Sequence, residues 1–204
     1  MDFQKDQPCQ KQPGQNLPGQ NLPGQNLPSR PQASVEDALT KTELVADTND
    51  ILSIEEALRL RRFDGKYDFA FAWYQDPETV LLVDGKAEPY SYETLTNMYT
   101  YLHNKGELYF IEVQENGTWK PIGDVTFWQE DMPIVIGERA YRGKGIGKKV
   151  VSALVARGRA RGYDALYVGE IYDFNIASQK CFESVGFRRC EKTAKGYRYV
   201  LDLR

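Results

Sequence analysis

Two neighbouring pieces of sequence decide the fold: Pro133-Ile134-Val135-Ile136, followed by Tyr141-Arg142-Gly143-Lys144-Gly145-Ile146-Gly147. The first is short and nearly all apolar, which predicts a strand buried on both faces. The second is a glycine-rich turn, behind which Ile146, Val150, Val151, Leu154 and Val155 mark one face of a helix ending near Gly162. A strand entering such a turn brings bare backbone N–H groups together at the positive end of a helix dipole, an arrangement that binds phosphate. The mononucleotide loop Gly-x-x-x-x-Gly-Lys-Ser/Thr does not fit, because the run from Gly143 to Gly147 is one residue too short and Lys149 replaces the hydroxyl. The dinucleotide fingerprint Gly-x-Gly-x-x-Gly does not fit Gly143-x-Gly145-x-Gly147 either, and the chain lacks repeated strand–helix units. What remains is Arg-x-x-Gly-x-Gly, met by Arg142, Gly145 and Gly147.

Working outward, residues 165–171 read as a strand and 175–185 as a helix stopped by Gly186. Residues 187–192 and 197–203 read as a closing hairpin around Gly196. Upstream, 108–114 and 121–128 read as paired strands joined by the turn Asn116-Gly117. Ser91 starts a helix carrying Leu95, Met98, Tyr99 and Leu102 as far as Gly106, and Asp84-Gly85 marks a turn before it. Ser53-Ile54-Glu55-Glu56 has capping-box spacing, which predicts a first helix running to about Arg62.

The chain has 204 residues with 26 Lys+Arg and 29 Asp+Glu, a formal net charge of -3, and a pI near 5.4. That balance argues against a general nucleic-acid binder, which shows a basic excess. Apolar runs are only a few residues long, so no membrane span is expected. The opening residues lack a basic segment followed by an apolar one, which makes the cytoplasm the default compartment. Residues 1–50 read as a flexible tail: six of the ten prolines fall in the first 31 residues, and Pro-Gly-Gln-Asn-Leu repeats three times from Pro13 to Leu27. Ser34 could cap a short helix there. The tail holds four basic and seven acidic residues, which leaves the body, residues 51–204, with equal numbers of each. Cys9, Cys181 and Cys190, with the single His103, suggest neither a disulfide framework nor a zinc site.

A second motif, Asn175-x-x-Ser178-x-x-x-Phe182-x-x-x-Gly186-Phe187, lies 33 residues beyond Arg142. Together, the loop and this stretch resemble the acetyl-coenzyme A signature of the GNAT superfamily of N-acetyltransferases, a likeness that covers residues 51–204. The resemblance implies an α+β fold: a central, mostly antiparallel twisted sheet with a splayed parallel strand pair, flanked by helices. It also implies acetyl-coenzyme A as co-substrate, no metal, and transfer of an acetyl group to a primary amine by direct attack. The acceptor would be a small molecule (an aminoglycoside, a polyamine or another small amine) or a protein N-terminus, with no nucleic-acid or membrane partner and a monomeric or homodimeric state. The run from Arg139 to Gly162 holds eight basic residues and no acidic one; Arg142 to Lys148 fit the phosphates, whereas Arg157, Arg159 and Arg161 read as a solvated face near the negative end of the helix.

By the same resemblance, Ile134, Val135, Ile136 and Gly137 would bond the pantetheine arm. Arg142, Gly143, Lys144, Gly145, Ile146, Gly147 and Lys148 would take the phosphates, and Asn175, Ser178 and Phe182 would complete the cofactor site. Asp131 is the favoured base and Glu130 a second candidate, although 129–132 also reads as a hairpin turn; Glu138 and Asp124 follow. The family's usual acid is a tyrosine at the position of Phe182, which cannot donate a proton, so Ser178, water, or unassisted departure of the thiolate takes over. Ser at Ser178 with a non-tyrosine at Phe182 resembles the branch acting on protein N-termini and ribosomal proteins. Trp73-Tyr74-Gln75-Asp76 puts aromatics beside a carboxylate, which suits a cation. Trp73, Tyr74, Asp76 and Trp128 are therefore the substrate-binding candidates. A catalytically silent acyl-coenzyme A sensor or partner module of the same fold is the alternative.

Overall fold

The computed structural model describes residues 50–204. The repeat tail and the Ser34 cap fall outside the described residues. A five-stranded sheet has the order β1-β2-β3-β4-β5 (Ile51–Glu55, Leu58–Arg62, Glu107–Glu115, Thr118–Phe127, Ile134–Ile136), with every neighbour antiparallel. A second sheet, β6-β8-β7, is built from β6 (Ala165–Tyr172), β7 (Arg188–Lys192) and β8 (Gly196–Asp202). Four α-helices flank them: α1 (Pro77–Asp84), α2 (Tyr92–Lys105), α3 (Ile146–Ala160) and α4 (Ile176–Glu183).

Alternation along β3 sorts the core into two layers. Leu108 and Phe110 face a cluster with Trp73, Tyr74, Leu95 and Tyr99. Tyr109, Ile111 and Val113 face a cluster with Val150, Val151, Leu154 and Phe182. The first sheet is thus packed between α1 and α2 on one side and α3 and α4 on the other. The α3 face read from the sequence is the buried one. Asn116 (φ +50°) and Gly117 (φ +77°) make the β3–β4 turn in the left-handed region. Among the described residues no helix is long and apolar enough to cross a membrane.

The helix expected from Ser53 to Arg62 is instead the β1–β2 hairpin, turning at Glu56 and Ala57. Period two overrides the capping-box spacing, because Leu58 and Leu60 enter the core while Arg59 and Arg61 both reach Glu112 on β3, at 2.7 and 2.6 Å. The sequence reading also passed over α1. Asp76 caps it, its carboxylate accepting the Glu78 N–H at 3.2 Å. Pro77 supplies the first helical φ, and Gly85 (φ +73°) closes the helix.

Asp124 on β4 is a charged group on the α1/α2 side of the sheet, only 3% exposed. Its Oδ2 accepts the hydroxyls of Tyr99 and Tyr74 at 2.9 and 3.0 Å. Burial pushes its carboxyl up to about 6, against the downward pull of those two donors. The folded-state value lies above the unfolded one, so the protonated acid favours folding. That contribution is full below about pH 4 and disappears as pH rises through the folded value. Thermal scans should therefore show Asp124→Asn gaining on the wild type, by on the order of 1–3 kcal/mol, as pH rises through this window. A difference in melting temperature that does not change with pH would contradict it.

Candidate active site

The two sheets meet edge to edge at one end. The Tyr167 N–H donates to the Gln129 carbonyl at 2.9 Å, and the Gln129 side chain donates from Nε2 to the Ala165 carbonyl at 3.3 Å. One rung further, a side chain replaces the backbone: Asp131 Oδ1 accepts the N–H groups of Gly169 and Met132, each at 2.8 Å. Residue 129 meets 167 and 131 meets 169, so the two chains run parallel as they part. The pairing of β6 with β8 is irregular between Val168 and Ile171, where Gly169 sits. A Cβ on Gly169 would lie 2.9 Å from Asp131 Oδ2, which only glycine avoids.

Beyond Asp131 the edges open into a cleft. Ile134 and Val135 line one wall, Glu170 and Tyr172 the other, and Ser178 and Phe182 of α4 also contribute. The strand expected to be buried on both faces is half-buried throughout, because among the described residues β5 has no partner on its outer edge. The Pro133 carbonyl accepts the Thr126 N–H at 3.0 Å. By the alternation of an antiparallel pair, Ile134 turns its own N–H and C=O toward the open edge.

The loop after β5 has the geometry of an anion site. Gly143 (φ +72°) and Gly145 (φ +79°) occupy the left-handed region, and Gly145 is the N-cap of α3. The first intrahelical bond is Lys149 N–H to the Gly145 carbonyl at 3.2 Å, so the N–H groups before it point out of the helix end. A Cβ on Gly147 would meet Cys181 Sγ at 3.2 Å, where α3 approaches α4.

The basic run contributes less charge here than its length suggests. Arg139 pairs with Asp76 and Glu78, Arg142 lies beside the same two carboxylates, and Lys149 pairs with Glu55. Arg157 and Arg161 pair with the buried Glu107 at the far end of α3, rather than standing in water as a solvated face. Lys144 and Lys148 remain at the loop outside any ion pair among the described residues.

Asp131 lines the cleft, and burial raises its carboxyl above the ordinary range, opposed by the Gly169 and Met132 N–H groups and by Arg198. Glu130 occupies the tight turn closed by Trp128 and Asp131, outside the cleft lining. Glu138 accepts Trp73 Nε1 at 3.0 Å. Asn175 caps α4 through the Ser178 N–H and donates from Nδ2 to the Leu82 carbonyl at 3.2 Å. Phe182, 1% exposed, packs edge-on against Phe187.

The residues expected to bind substrate lie mostly in the core. Trp73 and Tyr74 are 4% and 1% exposed and belong to the core, Asp76 is committed to Arg139 and the α1 cap, and Trp128 packs against the same core cluster. It is the other end of α1, Leu82 and Val83, that lines the cleft. Gly169 also went unremarked, although a glycine inside a strand signals a bulge or a close approach.

An open strand edge facing a second sheet, beside a glycine loop at a helix N-terminus, is shared with a known class of proteins. The chain belongs to the acetyltransferase (GNAT) family, whose profile matches residues 67–187. An uncharacterized protein of Methanocaldococcus jannaschii is 28% identical over 134 residues, 63% of this chain and 27% of that protein. The chain thus spans about a quarter of the length of that relative. The crystal structure of a domain from the same organism superposes with a TM-score of 0.62 at 26% identity, covering 72% of this chain and 98% of that one. The aminoglycoside acetyltransferase AAC(6')-Ib in complex with ribostamycin and coenzyme A shares the fold, with a TM-score of 0.59 at 17% identity over 72% of this chain and 94% of that one.

If the Asp131–Gly169 contact sets the opening, Gly169→Ala should weaken acetyl-coenzyme A binding about tenfold or more by overpacking, with the far-UV circular dichroism unchanged. Wild-type affinity in a titration calorimeter would contradict this.

Proposed function

We propose that the protein is an acetyl-coenzyme A dependent N-acetyltransferase in which a primary amine attacks the thioester directly. The observation that carries the reading is the open edge of β5, where Ile134 and Val135 line a cleft with Asp131, in a chain that continues from β5 through the glycine loop into α3. Backbone donors on the strand suit the amides of the pantetheine arm, and the helix end with Lys144 and Lys148 suits its phosphates. The co-substrate supplies an acetyl group already activated as a thioester.

This chain's residues would do the rest. Asp131 lines the cleft with a carboxyl made more basic by burial and held in orientation by two backbone donors, so it serves as acceptor of the ammonium proton, directly or through one water. The amine approaches along the wall formed by the end of α1. Phe182 offers no proton to the departing thiolate. Ser178, water, or departure as the anion completes the step, and the modest basicity of a thiolate permits the last of these. The acceptor is a primary amine, on a small molecule such as an aminoglycoside or a polyamine, or at a protein N-terminus. The apolar Phe182 at the acid position favours a second reading, a silent acyl-coenzyme A binding module, which predicts binding without turnover.

A thiol-release assay against polyamines, aminoglycosides, amino acids and N-terminal peptides, with a no-amine control, tests the proposal. Turnover on one class supports it, and binding without turnover on any of them supports the silent module. For an active acceptor, the rate should fall on the acid side as Asp131 is protonated, and Asp131→Asn should lower kcat/KM by about 10²-fold or more and flatten that limb. An unchanged profile in the variant would remove Asp131 from the proton transfer.

A further inference from the structure

Arg142 carries the loop motif, yet its guanidinium turns away from the loop. Nε donates to the Ile136 carbonyl at 2.8 Å. Nη2 donates to the Gly137 carbonyl at 3.1 Å, to Thr79 Oγ1 at 2.6 Å and, more weakly, to Asp76 Oδ2 at 3.4 Å. One planar fork therefore joins the last carbonyl of β5 and the one after it to the first turn of α1. The joint is reinforced around it: Arg139 grips Asp76 through Nη2 and Nε at 2.7 and 2.9 Å, Thr79 donates to Asp76 at 2.9 Å, and Gly137 leaves no room for a Cβ, which would sit 2.2 Å from the Trp73 ring. The far end of α1 supplies Leu82 and Val83 to the cleft.

We infer that Arg142 is a positioning residue that fastens the cofactor loop to α1, so that the phosphate site and the acceptor wall move as one piece. Its side chain is not the phosphate ligand that the motif suggests. The inference rests on the functional reading above for what the cleft binds, but the joint itself is independent of any turnover. Residues that contact no cofactor phosphate, Thr79 above all, should then matter to cofactor binding.

The test measures acetyl-coenzyme A affinity by calorimetry and, where an acceptor is turned over, its KM, on full-length Arg142→Met, Arg142→Lys, Thr79→Val and the Arg142→Met/Thr79→Val double variant, each checked by circular dichroism. Thr79→Val should weaken acetyl-coenzyme A binding and raise the acceptor KM, each by about five- to tenfold. Arg142→Lys, which keeps the charge but loses the fork, should be no better than Arg142→Met, and the double variant no worse than Arg142→Met alone. Wild-type cofactor binding in Thr79→Val, or rescue by Arg142→Lys, would overturn the inference and return Arg142 to the phosphates. Binding that follows the expected pattern without any turnover would leave the joint standing and count against the transferase reading alone.

Discussion

One hydrogen bond determines where the two sheets part company, that from the Gly169 N–H to Asp131 Oδ1. At Gln129 and Tyr167 the chains are joined by a backbone hydrogen bond. At the next rung a carboxylate has taken the place of a carbonyl, and a carboxylate projects from its strand. The backbones separate by the depth of the side chain, and from there on Ile134 has nothing opposite it. The bulge on β6 and the missing Cβ of Gly169 are what the substitution requires on the other side. Such a gap leaves backbone groups unpaired, which is unfavourable in a closed interior but tolerable in a cleft that water or a ligand can enter.

A second constraint acts at the other end of β5. The strand is only three residues long, too short to fix its own direction, and the chain leaving it is held by side chains. Trp73 bonds Glu138 and fills the space over Gly137, while Asp76 collects Arg139. Asp76 caps α1 in the same geometry, and Arg139 holds its carboxyl far below the ordinary range, with the Thr79 hydroxyl and the Glu78 N–H adding to the effect. The segment 73–79, which looks like a ligand-binding stretch in the linear sequence, is the bracket on which the loop is mounted.

Much of this was legible in the sequence and some was not, for identifiable reasons. The loop, α3, the β3–β4 hairpin and the second motif could be read because glycines at forced positions and a strong apolar period leave little choice. Residues 51–62 form a hairpin although Ser53 and Glu56 mimic a cap, because the partner that favours a strand, Glu112, lies 53 and 51 residues beyond Arg59 and Arg61. The positive charge of the run from Arg139 to Arg161 was overestimated for the same reason: its carboxylate partners, Asp76, Glu55 and Glu107, belong to other elements. Asp131 could be picked out as a carboxylate near the strand, but not as the group that parts the sheets, since that depends on a backbone N–H 38 residues downstream.

The unpaired β5 edge also bears on aggregation. An exposed edge of apolar residues is an invitation to strand addition by another chain. Here the invitation is narrow: the strand is three residues long, and the carbonyl of Ile136 is already capped by the Arg142 guanidinium. What is left is shorter than a β-ladder needs to propagate, yet long enough for a thin ligand arm. The outer strand of the second sheet, β7, is protected differently, with Arg188, Arg189, Glu191 and Lys192 among its five residues. The fold thus leaves one short edge open while discouraging the aggregation that open edges promote.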